Sequence, residues 1–255
     1  MSILDGVQRV LGLYAEGASD LSFTEVAARL SMPKSSASRL LNQMQHYGLL
    51  DQDIVTRRYR AGTMLAQAVR AGTAATPLDD ACRAVLARLS DDSGLTAYLS
   101  TLNQRETVVL QRLNGSHPVQ VLSPPGSRRA ASGTAMGRAL LSRLGEAEFQ
   151  ALYGADPDQP LPREGRDCPA TVGELARLVA QTRADHCGVA IDQAMPGIGA
   201  VAAAVRDPAT GELRGLCLSF VAFQADADRV ARLRESVLQQ VGALGRELND
   251  PYWLA

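Results

Sequence analysis

The sequence predicts an α+β fold in two parts: a small helical module with a β-hairpin at residues 1–62, and a larger antiparallel-sheet domain at 76–255, joined by a short helix at 63–75. Three observations carry this expectation. Residues 2–47 hold three runs of apolar residues at helical spacing. Residues 49–60 hold two short extended pieces around a turn. Beyond residue 77 come paired strand-like segments, then helical ones, then strands again, an order that suits an antiparallel sheet with helices. At 255 residues and 46% hydrophobic content the chain is long enough for both parts.

The first helix is predicted from Ile3, Val7, Val10, Leu11 and Tyr14, the second from Val26, Ala27 and Leu30, the third from Ala37, Leu40, Leu41 and Met44. Each set recurs at three- and four-residue intervals, which puts its apolar groups on one face, and three such faces close one core. Gly17-Ala18-Ser19-Asp20 is a loop between the first two. Ser22 or Thr24 suits the cap of the second helix, and Glu25 suits its positive end. Only Leu30-Ser31-Met32-Pro33 separates the second helix from the third, a tight break with proline at or near the next first turn. Helix, short turn and second amphipathic helix make a helix-turn-helix unit.

Opposite its apolar face the third helix carries Ser35, Ser38, Arg39, Asn42, Gln43 and His46, a polar arc without an acid. Arg39 can reach guanine edges or a phosphate, Asn42 and Gln43 carry amides able to read adenine, and Lys34, Ser35 and Ser36 stand where a helix start favours phosphate. The arc also has a plain reading as a solvated helix face. After the stop at Tyr47-Gly48, the hairpin is a candidate wing with Arg57, Arg58 and Arg60 clustered in it. Residues 1–60 hold seven basic against six acidic residues, and the whole chain has a net charge of −1. Affinity for nucleic acid must therefore come from the distribution of charge and not from its sum.

In the larger part, a helix at about 78–91 puts Leu78, Ala81, Cys82, Val85 and Leu89 on one stripe, so Cys82 reads as packing. Strands are predicted at 95–102, 107–113 and 118–123, helices at 132–143, 146–152 and 171–184, strands at 198–206 and 213–221, and a last helix at 226–248. No G-x-S-x-G elbow, P-loop or C-x-x-C occurs, and Gly197-Ile198-Gly199-Ala200-Val201-Ala202-Ala203 lacks the third glycine of a dinucleotide fingerprint. Three scattered histidines argue against a metal site. No catalytic residue, metal or cofactor is expected. Four widely spaced cysteines, with no signal-peptide pattern and no apolar run of about 18 residues, point to a reduced cytoplasm and no membrane association.

Leu30-Ser31-Met32-Pro33-Lys34-Ser35-Ser36-Ala37-Ser38-Arg39-Leu40-Leu41 resembles the recognition-helix segment of the IclR family of bacterial regulators, and Arg58-Tyr59-Arg60-Ala61-Gly62 resembles the end of its wing. Ser132 to Leu141 is similar to the segment that opens that family's effector pocket, and Gly188-Val189-Ala190-Ile191-Asp192 to another lining stretch. The resemblance implies a winged helix-turn-helix domain, a GAF-like effector-binding domain, and a regulator of transcription controlled by a small organic or aromatic acid. It implies DNA contacts from Lys34, Ser35, Ser36, Ser38, Arg39, Asn42, Gln43, Arg57 and Arg58. It implies effector contacts from Ala135 and Met136 through their backbones and from Asp192, Ala200, Cys217 and Ser219. Each of the last group also has a structural reading: Asp192 as a turn cap, Ser219 bonded within the sheet, Cys217 as a buried apolar residue. The sequence departs from the family pattern at Ser132, where histidine is usual, and at Gln193-Ala194-Met195-Pro196-Gly197, which is shorter and lacks a glutamate. Ser127-Arg128-Arg129 either attracts an anionic ligand or forms a solvated loop.

The expected partners are a pseudo-palindromic double-stranded operator, a small-molecule effector and further copies of the chain, as a homodimer or homotetramer. Leu4, Leu13, Leu65 and Val69 are the candidate dimer surface, unless they pack internally. An enzyme with an accessory DNA-binding domain and a purely architectural protein are the competing classes; turnover of a small molecule would mark the first, absence of specific DNA binding the second.

Overall fold

Three helices whose apolar faces each span only a few turns are marginal alone and become stable by closing on one another. The computed structural model describes residues 3–15, 17–72, 76–163, 165 and 167–254, in two compact units, Met1–Thr76 and Pro77–Ala255. In the first unit α1 (Ile3–Ala15), α2 (Phe23–Arg29) and α3 (Lys34–His46) close over Val10, Leu13, Val26, Leu30, Ala37, Leu41 and Met44. The hairpin β1 (Leu50–Gln52) and β2 (Tyr59–Ala61) adds Leu50 and Tyr59 to that core. The buried stripe of α1 is rotated from the expected one: Leu13 is buried, while Ile3 in the first turn stands 61% exposed. Leu13 therefore leaves the candidate dimer surface.

The helix ends follow local chemistry. Ser22 and Glu25 form a capping box, Glu25 N–H donating to Ser22 Oγ at 3.3 Å and Ser22 N–H to Glu25 Oε2 at 2.7 Å. Pro33 is the N-cap of α3. At the other end Gly48 takes φ +72°, and Leu49 N–H reaches back to Met44 O at 2.8 Å, a turn that favours glycine. α4 (Thr63–Gly72) follows the hairpin; the side chain of Val69 and residues 73–75 lie outside the described residues.

The second unit opens with α5 (Pro77–Ser93), β3 (Thr96–Asn103), β4 (Glu106–Leu113) and β5 (Arg128–Ala130). There follow α6 (Ala135–Leu141), α7 (Glu146–Tyr153), α8 (Val172–Asp185), β6 (Gly188–Ile191), β7 (Ile198–Arg206), β8 (Leu213–Val221) and α9 (Ala227–Glu247). The six strands form one antiparallel sheet in the order β5-β4-β3-β8-β7-β6. Strand alternation decides which side each residue serves. Ala97, Leu99, Leu216, Leu218 and Phe220 pack with α5 and α9, whereas Tyr98 and Cys217 face α6. Gly215 lets α6 lie close: a Cβ there would stand 2.3 Å from Met136 Sδ.

Two expectations change. Residues 118–123 are not a strand; the third strand of the meander is β5, and Pro118, Pro124 and Pro125 keep the connecting segment out of the ladder. β6, missed as a strand, is only four residues long. The C-terminal end is fastened by a buried ion pair, Arg143 Nη2 to Asp250 Oδ1 at 2.6 Å, with side-chain exposures of 6% and 1%. Asp250 Oδ2 also accepts from Arg206 N–H at 2.9 Å. Among the described residues, no helix is long and apolar enough to cross a membrane.

Candidate functional site

Two surfaces carry unsatisfied polar groups, one in each unit. On α3 the residues Lys34, Ser35, Ser36, Arg39, Asn42, Gln43 and His46 are exposed and Ser38 is half-buried, while Ala37, Leu40, Leu41 and Met44 fill the core. Lys34 and Arg39 make no ion pair among the described residues. The face is thus a row of donors and amides held rigid from behind. Asn42 is fixed further, its Oδ1 accepting from the Tyr59 hydroxyl at 3.0 Å, so the reading face is bolted to the hairpin.

The hairpin is stiff at its tip and at its base. Asp53 Oδ1 accepts from Val55 N–H at 2.9 Å and Thr56 N–H at 2.8 Å, and these bonds, Thr56 first, hold its carboxyl below the usual carboxylate range. Arg57 occupies the tip with φ +58° and makes no ion pair among the described residues. Arg58 differs from the expectation of a phosphate contact. Its Nε donates to Asp20 at 2.7 Å and its Nη2 to Glu25 at 2.9 Å, tying the wing to the start of α2. Bonding from the Ser22 backbone and side chain, then the Arg58 charge, keeps the Glu25 carboxyl below its ordinary value. Arg58 ties the wing to α2, whereas Lys34, Arg39 and Arg57, like Arg60 of β2, make no ion pair among the described residues.

In the second unit a cavity of about 100 Å³ lies between the inner face of the sheet, the start of α6 and the β6–β7 turn. A single water needs about 10–15 Å³ on the same measure, so the space suits a small molecule. Ala135, Met136, Ala200, Cys217 and Ser219 line it together, all five of them named from sequence. Asp192 does not line it. It takes φ +57° and its Oδ1 accepts from Gly197 N–H at 2.5 Å, so it caps the β6–β7 turn, which then presents Ala194 and Met195 to the cavity. The same turn is held from behind by Arg138, 2% exposed, which donates to Gln193 Oε1 and to Val189 O. Thr134 caps α6 by accepting from Gly137 N–H at 2.8 Å.

Burial pushes the Cys217 thiol up to about 12, so it faces the cavity as a neutral group and not as a thiolate. Tyr98 donates its hydroxyl to Val121 O and accepts from Ser123 N–H at 3.1 Å, which makes the 118–123 segment a wall of the cavity. Tyr98, Ser100, Thr107 and Val121 were not named from sequence. The signal for the first two was the alternation of Ala97 and Leu99 with Tyr98 and Ser100, which assigns the latter to the other face. Arg129 lines the cavity as well, whereas Arg128 points away to pair with Glu106 at 2.9 Å. Among the described residues no cluster of His, Cys, Asp and Glu gathers as metal ligands.

The model of the IclR helix-turn-helix domain matches residues 7–53, and the model of the C-terminal domain of the bacterial transcriptional regulator IclR matches residues 72–246. The chain belongs to the IclR family. The IclR-family chain is 29% identical over 258 residues to the HTH-type transcriptional regulator XynR of Escherichia coli K12, covering 98% of this chain and 100% of that one. It is 26% identical to BhcR of Paracoccus denitrificans, over 92% and 83% of the two chains. Its fold matches an IclR homolog of Microbacterium hydrocarbonoxydans complexed with 4-hydroxybenzoate, with TM-score 0.76, 20% identity and coverage of 97% and 99%. It also matches the Thermotoga maritima IclR, with TM-score 0.74, 18% identity and coverage of 96% and 98%. The protein is a DNA-binding transcriptional regulator of winged helix-turn-helix and α+β architecture.

Proposed function

We propose that this regulator reads its operator with Lys34, Ser35, Ser36, Ser38, Arg39, Asn42 and Gln43 of α3 and with Arg57 of the wing, and that a small organic or aromatic acid in the second unit controls that reading. On this account residues 1–62 bind DNA, 63–75 connect, and 76–255 hold the effector against Ala135, Met136, Ala200, Cys217 and Ser219. The observation that carries it is the acid-free outer face of α3, whose cations have no partner in the described structure. Such a face satisfies its donors on phosphates and base edges. The solved relative with 4-hydroxybenzoate supports an aromatic acid as the effector class.

The protein acts in the cytoplasm by binding and not by turnover, as a homodimer or homotetramer on a pseudo-palindromic site, since one helix offers few base contacts. Ile3, Leu4 at 77% exposure, Met64 and the half-buried Leu65 are apolar groups of α1 and α4 open to a partner copy. Sedimentation of the full chain is expected to give an even-numbered assembly, and Leu4→Glu to weaken it; a monomer on a single half-site contradicts this. The test of the whole reading pairs a thermal-shift screen of small acids with binding to DNA from the gene's own upstream region. A true effector at 100 times its Kd raises stability by about 2.7 kcal/mol and changes operator affinity. Binding without any change in operator affinity overturns the reading, and so does turnover of the acid.

A further inference from the structure

The cavity carries its one charged lining residue at one corner. In adjacent strands, Thr107 of β4 stands opposite Arg129 of β5, and Ser100 of β3 pairs with Val109, two residues further along β4. The period of two puts Ser100, Thr107 and Arg129 on one face, and all three line the cavity. Arg129 is the only charged side chain among the lining residues, and its guanidinium has no hydrogen bond or ion pair among the described residues. Ser100 is 1% exposed as a residue, and its hydroxyl has no hydrogen bond among the described residues. The lining nearer β6 and β7 is mostly apolar, Ala190, Ala194, Met195, Ile198 and Ala200, with Ser219 of β8 opposite Ala200.

A hydroxyl and a half-buried guanidinium that line one cavity without protein partners are free to bond a ligand there. The planar guanidinium matches a carboxylate in two-pronged geometry, and a hydroxyl supplies a further donor to it. We infer that Arg129, with Ser100 beside it and with its backbone held by Thr107 Oγ1 donating to Arg129 O at 3.4 Å, is the carboxylate-binding corner of the effector cavity, and that the effector is a small monoanionic carboxylic acid whose apolar body lies toward Met195, Ile198 and Ala200. This rests on the cavity being the effector site. Position 129, one strand residue beyond Arg128, decides the class of ligand: Arg128 spends its charge on Glu106, and Arg129 keeps its charge for the cavity.

The test uses the full chain and titration calorimetry with pyruvate, benzoate and 4-hydroxybenzoate, each beside its neutral amide. The wild-type protein is expected to bind at least one acid about tenfold or more tightly than its amide. Arg129→Met, checked for an unchanged melting profile, removes that preference, and Arg129→Lys restores part of it. Retention of the full preference in Arg129→Met overturns the proposal. An amide that binds the wild type as tightly as its acid and shifts operator affinity overturns the Arg129 corner while leaving effector control standing. Failure of every acid and every amide to bind overturns both.

Discussion

The two units treat their arginines in contrasting ways, and the contrast locates function better than any charge count. In residues 1–76 the paired arginine, Arg58, lies at the surface bridging Asp20 and Glu25, and the unpaired Arg39 and Arg57 also lie at the surface, facing outward. In residues 77–255 Arg128 likewise pairs at the surface with Glu106, but Arg143 is paired and buried against Asp250, and Arg129, with no ion pair among the described residues, lines an internal cavity. Pairing consumes a cation structurally wherever it sits. Arg138, buried without an ion pair among the described residues, is satisfied by Gln193 and Val189. On the proposed function, Arg39 and Arg57 face outward to a duplex too large to enclose and Arg129 faces inward to a partner small enough to surround. A net charge of −1 conceals both.

The largest effect expected from breaking this pattern is on a paired group. Asp250→Ala leaves Arg143 buried without its carboxylate and should destabilise the second unit by about 3–5 kcal/mol, read from chemical denaturation; a loss below about 1 kcal/mol would mean that the pair contributes little. Next comes an unpaired group. Arg39→Ala should cost about 1–3 kcal/mol of operator affinity and leave non-specific binding and thermal stability nearly unchanged, as measured by competition titration. Equal losses on specific and random DNA would make Arg39 a backbone contact and not a base reader.

A smaller effect concerns pH. The carboxyls of Glu25 and Asp53 are both held below their ordinary values, by hydrogen bonds from Ser22 and from Thr56 and Val55. A depressed carboxyl stabilises the folded form fully above its unfolded pKa and loses that contribution as pH falls through the folded one. The wing anchors should therefore be indifferent to pH near neutrality and weaken in acid, below the ordinary Glu value of 4.5. Glu25→Gln should flatten part of the acid limb in a melting series, and an unaltered limb would remove Glu25 from the anchor.

How much of this was legible in the sequence depended on the range of the interaction. Ala37, Leu40, Leu41 and Met44 were readable as the buried face of α3 because helical periodicity is local. The capping box of Ser22 and Glu25 was half visible for the same reason. Leu13 was placed outside because two apolar stripes overlap on α1, and only packing chooses between them. Residues 118–123 alternate like a strand, but the Tyr98 hydroxyl and the flanking prolines give that backbone other partners. The ion pairs of Arg58 were not legible because its partners lie 38 and 33 residues away, a distance no local pattern encodes. Five of the six residues named for the cavity do line it. Strand alternation assigns Ser100 to the face opposite Leu99, but that this face, and Thr107 on the next strand, lines a cavity shows only once the sheet order is known.

The claim that pairing status separates contact residues from structural ones is tested most directly at the wing, where Arg57 and Arg58 are neighbours in sequence. Operator affinity is measured across a salt series for the wild type, Arg57→Ala and Arg58→Ala, and the slope of log K against log salt is compared. Arg57→Ala should lower the slope by about 0.9, the release expected for one lost phosphate contact, whereas Arg58→Ala should weaken binding through wing position and leave the slope as it is. A slope reduced by Arg58→Ala as much as by Arg57→Ala, or unchanged by Arg57→Ala, would contradict the account.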